Sequence, residues 1–158
     1  MKRALVTMLF LAVAAAAQAH LGDTLDGIEK RMKRKPDDRP QGNAAVWYFE
    51  VQDGRIAYIV FFNEKGQSIS EKLMPTKVAV FDSGTAQSFI RMQLEAIPQS
   101  KSVQVIAPGV KYNFGGKTFV CGARQYVLLD MPNQFLLVWT QDGVPSVIAV
   151  RPEALAGR

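Results

Sequence analysis

The sequence is short of the residues on which most enzymes depend. Among 158 residues there is one histidine, His20, and one cysteine, Cys121. A single cysteine excludes an internal disulfide, so the folded chain must hold together by packing. Zinc sites of the usual kind need three or four Cys, His or acidic ligands, and no such spacing is present. Catalysis of the Ser–His–Asp or Cys–His kind needs a histidine held beside the nucleophile, whereas the lone histidine lies near the N-terminus. "FGGK", from Phe114 to Lys117, lacks the spacing and the following helix of a phosphate loop. Long apolar runs are lacking too. The stretch from Ala4 to Ala17 falls short of the roughly 20 residues that a membrane-spanning helix requires. The chain is therefore expected not to span a membrane and to use no metal or other cofactor.

What that apolar stretch does resemble is a leader. Lys2 and Arg3 precede it, and Ala17 and Ala19 put small residues at the first and third places of "AQA". This is the build of a secretory signal peptide, which predicts cleavage between Ala19 and His20 and an exported, periplasmic or secreted protein. No Cys stands at the expected new N-terminus to accept a lipid. Loss of Lys2 and Arg3 leaves seventeen basic residues against fourteen acidic ones, so the formal charge of +5 falls to +3. Export also removes nucleic acid as a partner, because little of it is met outside the cytoplasm.

"EKRMKRKPDDRP" then packs Lys30, Arg31, Lys33, Arg34 and Lys35 into six positions. In front of it, "LGDTLDGIEKRM" offers Asp23 or Thr24 as a cap, with Leu25, Ile28 and Met32 at helical spacing. Acids at the start and cations at the end are the order the helix macrodipole favours, and Pro36 closes the element. A solvated helix end thus explains the run. The competing reading is attachment to an anionic envelope surface, since dipole compensation is worth only about 0.3–1 kcal/mol per charge and fades within one turn.

"AVWYFEV" and "RIAYIVFF" read as strands joined by a hairpin, with Asp53 and Gly54 supplying positive backbone angles. "QSISEKL" alternates as a third strand with Ile69 and Leu73 inward. The plan then recurs. "DSGTAQSFIRMQLEAIP" predicts a helix with Ala86, Phe89, Ile90, Leu94 and Ile97 on one face. "SVQVIA", "KTFVCG", "QYVLLD", "FLLVWTQ" and "SVIAV" follow as four or five strands of an antiparallel meander. The fold class is α+β, with helices on one side of an antiparallel sheet. Two helix-and-strands modules, residues 20–76 and 77–158, are expected to share one core.

The order Gly22, Thr24, Ile28, Met32, Pro36, Trp47 and Tyr48, then a hairpin, Phe61, Phe62 and Gly66, resembles small exported bacterial proteins of unknown function. More distantly it is similar to SmpA/OmlA outer-membrane assembly lipoproteins and to beta-lactamase inhibitor proteins, whose modules place a helical pair against an antiparallel sheet. Lys35 stands where those lipoproteins usually carry Gly before Pro, and the lipid-acceptor Cys is absent. The resemblance implies a binding or assembly module rather than an enzyme, and it assigns no functional residue.

Few residues remain as candidates for chemistry. His20 at a new N-terminus suggests a copper site built from amine and imidazole, but the second histidine such a site normally uses does not exist here. Cys121, following Phe119 in "KTFVCGA", reads as a buried, inert thiol. Asp53, Asp130 and Asp142 stand where turns or strand ends explain them, and Asp23 and Asp26 belong to the helix start. Two acids converging in a deep pocket would instead make an envelope hydrolase, because glycosidases need only such a pair and linear spacing does not reveal it. Tyr48 and Tyr58, if they share an open sheet face, would form an aromatic platform for a peptide, a glycan or a partner sheet; ordinary cross-strand packing is the plainer account. The function these features favour is a non-catalytic binding or assembly protein of the bacterial envelope, with an envelope protein or an anionic surface as partner. A purely structural envelope subunit is the third possibility.

Overall fold

A computed structural model describes residues 20–51, 54–77, 81–95, 103–130 and 134–156. Residues 1–19, and with them the leader-like stretch, lie outside the described residues, as do Gln52, Asp53 and Ile97. Helix α1 spans Leu25–Met32 and α2 spans Ser83–Glu95. The strands are β1 (Ala44–Val51), β2 (Gly54–Phe62), β3 (Ser68–Lys77), β4 (Val103–Ile106), β5 (Lys111–Phe114), β6 (Lys117–Val120), β7 (Gln125–Asp130), β8 (Phe135–Thr140) and β9 (Ser146–Val150). A 3-10 turn at Pro152–Leu155 follows.

Thr24, rather than Asp23, caps α1: the Gly27 N–H donates to Thr24 Oγ1 at 3.2 Å. Ile28 and Met32 turn inward, and Lys33 ends the helix in the left-handed region at φ 53°. At α2, Asp82 accepts the Thr85 N–H at 2.7 Å. Its buried residues are Ala86, Phe89, Ile90 and Gln93. Leu94 packs half-buried against the core as expected, and Gln93 beside it is buried too, so a polar group enters the interior.

Seven strands form one antiparallel sheet in the order β1-β2-β3-β9-β8-β7-β4. The two stretches of sequence that repeat the helix-and-strands plan meet where β3 pairs with β9. One face of the sheet carries Trp47, Phe49, Tyr58, Val60, Leu73, Leu128, Leu137 and Val147, and both helices bury their apolar stripes against it. The fold is therefore α+β with the helices on one side. The opposite face, under β7 to β9, carries Val127, Leu129, Leu136 and Val150.

The second stretch holds six strands, not four or five. Lys111–Phe114, which is not among the strands expected from the sequence, pairs with Lys117–Val120 across Gly115 and Gly116. This ribbon leaves the main sheet and lays Tyr112, Phe114 and Phe119 over the face opposite the helices. Cys121 sits beneath it, 1% exposed.

Candidate functional site

The basic run divides once it is folded. Arg31 is paired with Asp23. Arg34 pairs with Asp37, donates to the Tyr48 carbonyl at 2.7 Å, and lies 5.1 Å from the Phe49 ring centroid. Asp37 in turn accepts the Tyr48 N–H at 2.7 Å, while Asp37 and Asp38 bond to the backbone of Val46. Residues 34–38 thus cover much of the free edge of β1, where unpaired backbone would otherwise invite another chain. Lys30, Lys33 and Lys35 are exposed and form no ion pair among the described residues. The two arginines are structural and the three lysines face solvent.

Tyr48 and Tyr58 do not form the platform suggested by the sequence. Trp47 pairs with Tyr58 and Tyr48 with Ala57 across β1 and β2, and neighbours along a strand point to opposite faces. Tyr48 sits under the Arg55 guanidinium, 5.1 Å from it, whereas Tyr58 is fully buried on the helix side.

Tyr58 leads to a buried polar cluster that the sequence reading missed. Its hydroxyl donates to Glu71 Oε2 at 2.9 Å, and Gln93 Nε2 donates to the same oxygen at 2.6 Å. Ser68 Oγ lies 2.9 Å from Glu71 Oε1 and 3.1 Å from the His20 carbonyl. Phe61 pairs with Ser70 and Phe62 with Ser68, so Ile69 is the extra residue of a bulge. That insertion turns Ser68 and Glu71, three apart, to the same face. The segment from His20 to Thr24 closes the cluster: Gly22 N–H donates to the Ser68 backbone and hydroxyl, and Leu21 N–H to Gln93 Oε1. Gly22 holds φ at 99°, a backbone conformation that side chains rarely adopt, so this turn of the segment favours glycine.

Burial lifts the Glu71 carboxyl from 4.5 to about 7, although its three hydrogen-bond partners each favour the ionised form. Burial and the neighbouring Glu71 push the Tyr58 phenol well up, so it stays a donor. Protonation decides how Ser68 is used. An ionised Glu71 draws the hydroxyl proton to Oε1; a protonated one donates to Ser68 Oγ and frees that proton for the His20 carbonyl. A carboxyl poised near neutrality suits general acid catalysis, but this one is fully buried behind the N-terminal segment. The arrangement fits a proton-dependent fastening of that segment.

The open site lies on the same helix further along. Gln87, Ile90, Arg91, Leu94 and Glu95 of α2, with Tyr126 and Trp139, line a groove of about 670 Å³. Tyr126 and Trp139 are cross-strand partners on β7 and β8, and Tyr126 is 41% exposed. Positions 87, 91 and 95 recur at helical spacing and form a polar stripe, while 90 and 94 form an apolar one beside it. Arg91 and Glu95 make no ion pair among the described residues. Among those residues no group of three His, Cys, Asp or Glu side chains is placed to hold a metal ion. No helix among them is long and apolar enough to cross a membrane.

No protein-family model matches the chain, and no curated protein does. Among solved structures it is similar to YjgB, a DUF4309 family protein from Bacillus subtilis subsp. subtilis str. 168, at 10% identity and a TM-score of 0.42, over 94% of this chain and 99% of that one.

Proposed function

We propose that this is an exported, non-catalytic binding protein of the bacterial envelope, and that the groove beside α2 seats an uncharged glycan. The observation that carries the reading is the Tyr126–Trp139 pair lying open between an apolar and a polar stripe. A sugar ring has an apolar face that stacks on aromatic rings and a rim of hydroxyls that pairs with planar polar side chains. Gln87, Arg91 and Glu95 supply those partners, and the opposite charges of Arg91 and Glu95 cancel, which suits a neutral ligand. The leader-like start and the resemblance to envelope assembly and inhibitor modules support the location and the absence of catalysis. Lys30, Lys33 and Lys35 support a second, weaker contact with an anionic surface, worth roughly 1 kcal/mol per lysine close to the membrane.

Only two tryptophans are present and Trp47 is fully buried, so emission changes on ligand addition report Trp139. A tetramer of N-acetylated amino sugars is expected to shift that emission saturably. Tyr126→Ala and Trp139→Ala should each weaken binding, measured by calorimetry, at least about tenfold. Unchanged affinity in both variants, or binding of an envelope-derived peptide in place of the sugar, would remove the glycan reading.

A further inference from the structure

His20 is held from several directions. Its backbone nitrogen donates to Asp23 Oδ2 at 2.6 Å, and its carbonyl accepts from the Asp23 N–H at 2.9 Å. The next residue is fixed as well, because the Leu21 carbonyl accepts from Arg151 Nη2 at 3.2 Å. Two atoms in this setting have no partner among the described residues: His20 Nδ1 and Arg31 Nε are both buried and unbonded, and the first can accept. Burial is the main cause that holds the imidazole below its ordinary value; Asp23 and Glu95 oppose it and Arg31 reinforces it. An uncharged ring has one nitrogen free to accept.

A peptide N–H has a single proton, and here it is spent on Asp23. An ammonium has three. We propose that the working chain begins at His20 and that its α-ammonium is a bound group of the fold, with one N–H on Asp23 Oδ2 and a second on its own Nδ1.

The inference rests on the export reading above, which puts the cut after Ala19. Hydrolysis of the Ala19–His20 peptide bond by a leader peptidase consumes one water and leaves a carboxylate on Ala19 and an amine, protonated at neutral pH, on His20. Around the new cation stand Asp23 from its own loop, Arg31 of α1 on the same Oδ2, Glu95 of α2, Glu71 of β3 behind Ser68, and Arg151 after β9. The charges that act on His20 are the carboxylates of Asp23 and Glu95 and the guanidinium of Arg31, and the ammonium balances that set. Because Arg31 occupies the same Asp23 oxygen, the site suits an internal cation better than a chelated metal. Processing thereby completes the seal over Glu71.

The test uses the exported protein and a version with two glutamines inserted before His20, which leaves the cleavage point after Ala19 in place and turns the ammonium into a neutral amide. Mass spectrometry of the intact exported protein is expected to give a chain starting at His20. Nitrogen NMR should show an α-amine titrating above the usual value of about 7.7–8.0 and an imidazole protonated at Nε2. An ammonium whose folded pKa is raised stabilises fully below its unfolded pKa and is lost as pH rises through the folded one. The inserted version should therefore melt about 3 °C lower at pH 7, and the two should converge above about pH 10. Asp23→Asn should return the amine to its ordinary value. A chain starting elsewhere would overturn the cleavage point and the bound ammonium together. A chain starting at His20 whose amine titrates ordinarily, whose ring is protonated at Nδ1, or whose extended version is equally stable would overturn the bound ammonium alone.

Discussion

The space beneath the helices is closed at one end of the sheet and open at the other. Under α1 and the inward side of α2, the interior holds Trp47, Tyr58 and an acid, and residues 20–24 cover it. Beyond α2, over β7 and β8, the same sheet face carries Tyr126 and Trp139 with nothing laid across them among the described residues. Both ends use aromatic residues on paired strands. They differ in what the neighbouring segment supplies: at the closed end the N-terminal segment brings backbone donors and acceptors that satisfy Ser68 and Gln93, whereas the outward-facing turn of α2 brings charged tips that stay in water. An aromatic pair on a strand is therefore core or binding surface according to what crosses it.

The largest test of that difference compares the two tryptophans. Trp47→Ala, at a fully buried position, is expected to cost about 3–5 kcal/mol by urea denaturation. Trp139→Ala should cost only about 1 kcal/mol, because its ring is partly in solvent already. Equal losses would make the groove part of the sealed core.

The next effect concerns the acid inside the closed end. The folded pKa of Glu71 is raised from 4.5 to about 7. A raised carboxyl holds its proton more tightly when folded, so its stabilisation is present below the unfolded value and is lost as pH climbs from 4.5 to about 7. Glu71→Gln keeps the shape of the neutral acid. Wild type and variant should have similar stability near pH 4.5, and the variant should be the more stable by up to about 3 kcal/mol above pH 7. A difference that stays constant with pH would place the carboxyl in contact with solvent and the closed end open.

The smallest effects divide the basic run. Arg34→Ala should cost about 1 kcal/mol, since it removes a bond to the β1 edge and a contact with Phe49. Changing Lys30, Lys33 and Lys35 together to Gln should leave the melting midpoint almost unchanged and reduce sedimentation with anionic vesicles at low salt. Vesicle binding that is equal with and without the lysines would leave them as solvated residues.

How far the fold was legible follows from how local each signal is. The helix around Ile28 and Met32, the strands around Trp47 and Tyr58, and the cap at Asp82 are set by spacing and turn chemistry within a few residues. The ribbon at Lys111–Phe114 was not legible, because four residues between two turns carry too short an alternation. Glu71 left a trace that went unread. It stands between Ile69 and Leu73 on a strand read as facing inward, and a carboxylate at such a position is a buried acid unless the register breaks. The groove left no such trace, since Tyr126 and Trp139 look like any strand aromatics.

The sequence alone determined the types of the longer elements, the α+β class, the burial expected of Cys121 and the scarcity of groups for familiar catalysis, because each depends on residue identity and near neighbours. Tertiary structure decided which face each aromatic took, that Arg31 and Arg34 bind their own chain, and that Gln93, Tyr58 and Ser68 meet at Glu71. Those outcomes depend on strand register, a one-residue bulge and contacts between distant segments. A shift of one residue in a strand reverses every side chain on it, so such contacts exist only once the strands have paired.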